Sequence, residues 1–264
     1  MLKKILIVLI IGAFLFGCSS KKENESTQKQ GDVDIEFYHA PLPKFSQVYS
    51  KLDHLETDDF DEAIGEDIFE AKNDVYRSAF ALGVLSSDAI LTSKARNSSK
   101  LNNIAQAMIE YSKMVEVDKD ILKLADELKT LIDQEKWNTL ETTLDQYKKE
   151  VELSFYESKE YDLFTMLQLG GWVEGLNRIT FLLDKNYQKD KTSIINERGI
   201  LNQLISNTNN LKNPNIKKEK YYDTALSNLK EIKEILYSND KGEYTKEQIK
   251  EISKLTAEIK KMIE

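Results

Sequence analysis

Residues 163–183 read LFTMLQLGGWVEGLNRITFLL, the most apolar stretch after the N-terminal leader, interrupted only by Gln168, Glu174, Asn177 and Arg178. Its length would suffice for a membrane span, but Glu174 and Arg178 near the middle would be costly in hydrocarbon. The stretch is therefore predicted to be a helix at the centre of a protein core. Gly170, Gly171 and Gly175 each disfavour a helix by roughly 1 kcal/mol relative to alanine, so some contact must offset them. Gly171 and Gly175 lie one turn apart on one face, where another backbone can approach closely. The natural partner is the other mostly apolar segment, Val75–Thr92, in which Ala79, Gly83 and Ser87 recur every four residues. The two helices are predicted to cross at that contact, so that Gly175→Leu would unfold the domain.

Glu174 and Arg178 stand four apart in the favourable order for an ion pair. A buried pair needs its remaining hydrogen-bonding groups satisfied, and Asp88, Gln168 and Asn177 are the candidates to complete the network. Two readings follow. The network is a polar clamp fixing helix register, or it is the floor of a ligand pocket with Trp172 and nearby aromatics as walls.

Outward from this centre almost every segment has helical spacing. Leu101, Ile104, Met108, Tyr111 and Val115 form one stripe, and Ile121, Leu124, Leu128, Leu131 and Ile132 a second. Trp137, Leu140, Leu144, Tyr147 and Val151 alternate by three and four, as do Tyr222, Ala225, Leu229, Ile232 and Leu236, and the last stripe runs from Ile249 to Met262. Asp118 is placed to cap a helix entering at Lys119, Ser158 one entering at Lys159, and Asn213-Pro214 sets proline at a first helical position. Thr245 with Gln248 fits a capping box, and residues 238–242 (SNDKG) read as a turn. Short links between amphipathic helices predict an all-α fold. The expected architecture is an antiparallel multi-helix bundle over 44–264, built around the two apolar central helices. With 3 Pro and 10 Gly in 264 residues, a sandwich or barrel is disfavoured, because its many turns need both.

The formal charge is −8. Removing the first 17 residues takes away Lys3 and Lys4 and no acid, which leaves −10. Nucleic-acid binders usually carry a basic face, so no nucleic-acid partner is expected. The basic run Lys217, Lys218, Lys220 reads as a solvated helix start.

The N-terminus assigns a compartment. Lys3 and Lys4 precede the apolar run Ile5–Phe16, which is followed by Gly17-Cys18-Ser19-Ser20. This order of charge, short apolar run and small residue is that of a secretory signal over 1–17. Leu15-Phe16-Gly17-Cys18 resembles a bacterial lipobox, although Phe16 stands where a small or β-branched residue is usual. The resemblance implies a diacylglyceryl thioether on Cys18 and membrane attachment through that lipid. Ser19 is not the Asp that retains many lipoproteins in the inner membrane, so the resemblance favours the outer membrane, facing the periplasm or the surface. Residues 18–43 are expected to be a lipidated, disordered tether ending in an extended arm, where Asp32–Phe37 alternate and Pro41 and Pro43 close the pattern. No cysteine follows Cys18, so no intramolecular disulfide can form.

Signatures of catalysis are missing. His39 and His54 are the only histidines and form no paired helical motif, so no metal site is expected. The acidic run from Glu56 to Glu70 has no Asp at the first loop position when Gly65 is set as the sixth, so it fails the EF-hand pattern. There is no Gly-x-Ser-x-Gly, and Gly170-Gly171-x-x-x-Gly175 lacks the Lys-Ser/Thr of a phosphate loop. No catalytic residue and no cofactor is therefore assigned. The pairing of Ala81-Leu82-Gly83-Val84 with Leu169-Gly170-Gly171-Trp172-Val173-Glu174-Gly175, behind a lipobox, resembles uncharacterised helical lipoproteins of the Bacteroidetes type. That resemblance implies an all-helical exported domain and transfers no catalytic residues. The expected function is a lipid-anchored, non-enzymatic binding or structural module of the cell envelope, engaging an envelope protein or a small ligand. The alternative is an envelope hydrolase with a carboxylate-lined pocket near Glu174.

Overall fold

Asp74 starts the first long helix, because its Oδ1 accepts from the backbone N–H groups of Tyr76 and Arg77 at 2.9 and 3.0 Å. The computed structural model describes residues 45–64 and 74–263. The predicted leader, Cys18, the tether and arm with His39, and the acidic residues from Gly65 to Glu70 lie outside the described residues. In chain order the helices are α1 (Phe45–Asp53), α2 (Phe60–Ala63), α3 (Val75–Lys94), α4 (Ser98–Met114), α5 (Lys119–Asp133), α6 (Trp137–Glu157), α7 (Tyr161–Lys185), α8 (Arg198–Asn209), α9 (Lys220–Tyr237) and α10 (Lys246–Lys260). Three short 3-10 segments cover 190–195, 216–218 and 261–263, and the described residues contain no strand. The fold is the all-α bundle that the apolar periodicity predicts.

The two apolar segments form its centre. α3 and α7 pack on each other more extensively than any other pair. From α3 the chain moves outward through α4, α5 and α6, each packing on the one before, and α6 closes back on α7 and α3. On the other flank α8, α9 and α10 pack in series, and α10 returns to α7. Both central helices are apolar around most of their circumference, since each is covered on several sides. The outer helices keep a single buried stripe, such as Ile121, Ala125, Leu128 and Ile132 on α5.

The four links from α3 to α7 share one geometry. Arg96, Glu116, Glu135 and Lys159 each take positive φ, between 50° and 65°. The N–H of the next residue bonds back five positions in each case: Asn97 to Thr92, Val117 to Ser112, Lys136 to Leu131 and Glu160 to Phe155, at 2.9–3.1 Å. This is a Schellman closure with a charged, exposed residue where glycine is usual. It corrects one expected cap. Ser158 ends α6, Lys159 makes the left-handed turn, and α7 starts at Tyr161. Asn213-Pro214 likewise does not open an α-helix. The N–H groups of Lys212 and Asn213 bond the Asp162 carboxylate at 2.7–3.1 Å, a 3-10 turn follows, and α9 begins at Lys220. Asp118 does precede α5, without a side-chain cap bond. Thr245 and Gln248 make the full capping box of α10.

The first part of the acidic run is tied to the end of α7 and the 3-10 segment after it. Lys185 reaches Asp59 and Glu62 at 3.0 and 2.7 Å, and Lys191 reaches Glu56 at 2.9 Å. These are exposed pairs, each contributing about 0–1 kcal/mol, beside the buried Phe60 and Ala63 that seat α2 on the bundle.

Candidate functional site

The centre of the bundle is a backbone-to-backbone crossing. A methyl added at Gly170 would stand 2.0 Å from the Phe80 carbonyl oxygen. One added at Gly83 would stand 2.0 Å from the Leu167 carbonyl oxygen and 2.7 Å from the Gly171 nitrogen. Ser87 Oγ completes the contact by donating to the Gly171 carbonyl at 2.6 Å. The contact face of α7 is thus Leu167, Gly170, Gly171 and Glu174, spaced by three and four. The crossing of α3 with α7 is the one expected, but its centre lies about a turn before Gly175. A Cβ at Gly175 would meet only Ser87 Oγ, at 3.8 Å, an ordinary contact. The predicted clash of Gly175→Leu with α3 is corrected accordingly. Ala79 is fully buried, but the carbonyl of its neighbour Phe80 is what meets Gly170.

One turn beyond the crossing the same face carries charge. Arg178 Nε lies 2.6 Å from Glu174 Oε1 and 3.1 Å from Asp88 Oδ1, and Lys260 Nζ from the end of α10 lies 2.6 Å from Glu174 Oε2. Glu174 has no exposed surface and Asp88 is 4% exposed. The contacts to Glu174 lack hydrogen-bond angles, so their stabilisation is Coulombic. Burial, then the neighbouring Glu174 charge, pushes the Asp88 carboxyl up to about 8 against the pull of Arg178. Three helices are joined here by two carboxylates and two cations.

Of the predicted network, Glu174, Arg178 and Asp88 come together and two members do not. Asn177 points the other way along α7, and its Nδ2 donates to the Ser253 carbonyl and Thr256 Oγ1 of α10 at 3.0 and 2.9 Å. A residue one position from Arg178 is turned about 100° around the helix, so it faces α10 instead of α3. Gln168 is buried six residues before Glu174, about 9 Å along the axis. Lys260 was not legible in the sequence, since nothing separates it there from the other lysines of α10.

The open space is elsewhere. A cavity of about 130 Å³ lies on the side of the crossing away from Glu174. Its walls are Leu82 and Ile90 of α3, Val151 of α6, and Leu167, Trp172 and Ile179 of α7, and Gly171 and Gly175 leave room along its floor. Leu52 and Ile195 roof it, and Lys51 and Glu197, which pair with each other, stand at its mouth. Trp172 is one wall of this cavity. Glu174, Arg178 and Asp88 do not line this space. Among lining residues the ionisable side chains besides the mouth pair are Lys148 and Glu152 of α6, and Tyr147, whose hydroxyl pairs with Ser112.

The lining of this cavity contains no histidine and no cysteine. His54, the one histidine among the described residues, lies outside it, with Nδ1 2.6 Å from the Ser50 carbonyl. No group of three or more His, Cys, Asp or Glu that could hold a metal occurs among the described residues. No helix there is long and apolar enough to cross a membrane. No known protein family, curated protein or solved structure matches the chain.

Proposed function

We propose that the protein is a lipid-anchored binding module of the cell envelope that holds a small, mostly apolar ligand between α3, α6 and α7. The cavity carries this reading. Ligand sites are concave and mostly apolar with a few placed polar groups, and this space has largely apolar walls from three helices, with Tyr147, Lys148 and Glu152 of α6 as ionisable side chains among them. The absence of Glu174 from its lining gives the hydrolase alternative no observation to favour it. The anchor rests on Leu15-Phe16-Gly17-Cys18 and on the resemblance to helical envelope lipoproteins, with the outer membrane as the favoured location.

Two measurements test the parts separately. Intact mass of the membrane-extracted protein is expected to show a diacylglyceryl modification on Cys18, and Cys18→Ala is expected to move the protein to the soluble fraction. An unmodified thiol in membrane-bound protein would remove the anchor. For the cavity, methyl NMR signals of Leu82, Leu167 and Ile90 are expected to shift saturably with toluene. A leucine at Gly175, whose Cβ would make only an ordinary contact with Ser87 Oγ at 3.8 Å, is expected to fill the cavity and abolish those shifts while the bundle remains folded. Unchanged shifts in that variant would place the probe elsewhere.

A further inference from the structure

Glu152 is the unusual side chain in the cavity. It lies on the second turn from the end of α6 and is 6% exposed. Its Oε1 is buried with no hydrogen-bond partner. A buried carboxyl oxygen left without a donor is costly, by about 1–3 kcal/mol or more if charged, and such exceptions in a well-packed protein call for a reason. We infer that Glu152 is the polar anchor of the cavity and that its ligand is an uncharged, single-ring-sized molecule bearing one hydroxyl group, whose O–H donates to the Glu152 carboxyl after a turn of that group brings the unpartnered Oε1 to the open space. This rests on the cavity being a binding site, and it adds the class of ligand.

Size, charge and protonation each narrow the class. A cavity of about 130 Å³ is close to the ~150 Å³ apolar cavity known to accept benzene, so one ring fits. Lys148, one turn earlier on α6, already supplies positive charge to Glu152, and a ligand ammonium would be repelled by it. Burial pushes Glu152 up to about 7 while Lys148 pulls it down, and burial lowers Lys148 while Glu152 and Asp145 raise it. A carboxyl titrating near neutrality both accepts and donates. A hydroxyl does the same and matches either state, whereas an ammonium can only donate. Of the other polar lining groups, Ser86 and Ser87 already donate to the carbonyls of Leu82 and Gly171, and Tyr147 pairs with Ser112. Apart from Lys148 and the mouth pair the rest is apolar, so a second polar group on the ligand would find few partners.

Phenol and toluene, which differ by hydroxyl for methyl, isolate the anchor. In methyl NMR titrations of the full chain, phenol is expected to bind at least as tightly as toluene. Glu152→Met, which keeps the length of the side chain, is expected to weaken phenol about tenfold, the loss of one buried hydrogen bond, while toluene stays within about twofold. Glu152→Gln retains an acceptor oxygen and is expected to keep most of the preference for phenol, and thermal melts of both variants establish that they are folded. An unchanged phenol-to-toluene ratio in Glu152→Met would overturn the inference and leave the cavity reading intact. Tighter binding of benzylammonium than of phenol would also overturn it. Failure of both toluene and phenol to bind the wild-type chain would sink the cavity reading, and this inference with it.

Discussion

Gly170→Ala is expected to destabilise the bundle by about 3 kcal/mol or more, and Gly175→Ala, five residues away on the same helix, to stabilise it by up to about 1 kcal/mol. Both changes add one methyl and both gain the same helix propensity, roughly 1 kcal/mol. They differ in what the methyl meets. At Gly170 it would lie 2.0 Å from the carbonyl oxygen of Phe80. That oxygen is backbone and cannot rotate away, so α3 and α7 must separate and disturb the most extensive packing in the molecule. At Gly175 the nearest atom is a serine hydroxyl at 3.8 Å, and the propensity gain survives. Gly83→Ala is expected to behave like Gly170→Ala, since its methyl would reach the Leu167 carbonyl. Urea unfolding midpoints of the three variants check the ordering. A Gly170 variant as stable as wild type would mean that the helices do not cross backbone to backbone.

Arg178→Met is expected to cost about 3–5 kcal/mol above about pH 8, where Asp88 is ionised beside Glu174 and only Lys260 is left to two buried carboxylates. At neutral pH, where Asp88 holds its proton, the cost is expected to be less. The pH profile gives the cluster an independent signature. The Asp88 carboxyl is raised from 3.8 to about 8, so the folded state holds a proton there that the unfolded state releases. Stability from this group is therefore fully present below pH 3.8 and is lost as pH rises towards 8. Asp88→Asn removes the titration. It is expected to flatten the fall in stability between about pH 4 and 8, with its greatest benefit relative to wild type at the alkaline end. Thermal unfolding across that range is the measurement, and equal slopes in wild type and Asp88→Asn would mean that Asp88 stays ionised throughout.

The architecture was legible where periodicity determines it. The apolar run 163–183 cannot face water, and its glycines require a close neighbour, so α7, α3 and their crossing follow from residue types alone. The register of that crossing does not. Gly171 and Gly175 make the obvious pair four apart, but Leu167 contributes only a carbonyl, and a backbone atom leaves no mark in side-chain chemistry. The same holds for caps. Thr245 with Gln248 uses side chains on both ends and could be read, while Arg96, Glu116, Glu135 and Lys159 occupy left-handed positions where glycine would have given a signal. The salt bridge of Glu174 with Arg178 was visible from spacing, and its third helix was not, because Lys260 reaches it only after α8, α9 and α10 have folded back. Glu152 carries no mark in the sequence, for a simpler reason. On a helix with many charged residues, burial of one of them depends on α3 and α7 covering it.

The cavity draws its walls from α3, α6 and α7 and its roof from α1 and the segment before α8. No pair of these neighbouring in sequence can form it alone, and in the unfolded chain it does not exist. A molecule lodged there associates with the native state only, so occupancy adds RT ln(1 + [L]/Kd) to the free energy of unfolding, about 2.7 kcal/mol at a hundredfold excess over Kd. Melting temperature thus becomes a readout of ligand concentration, and a chain that retains its natural ligand through purification would melt higher than the same chain stripped of it.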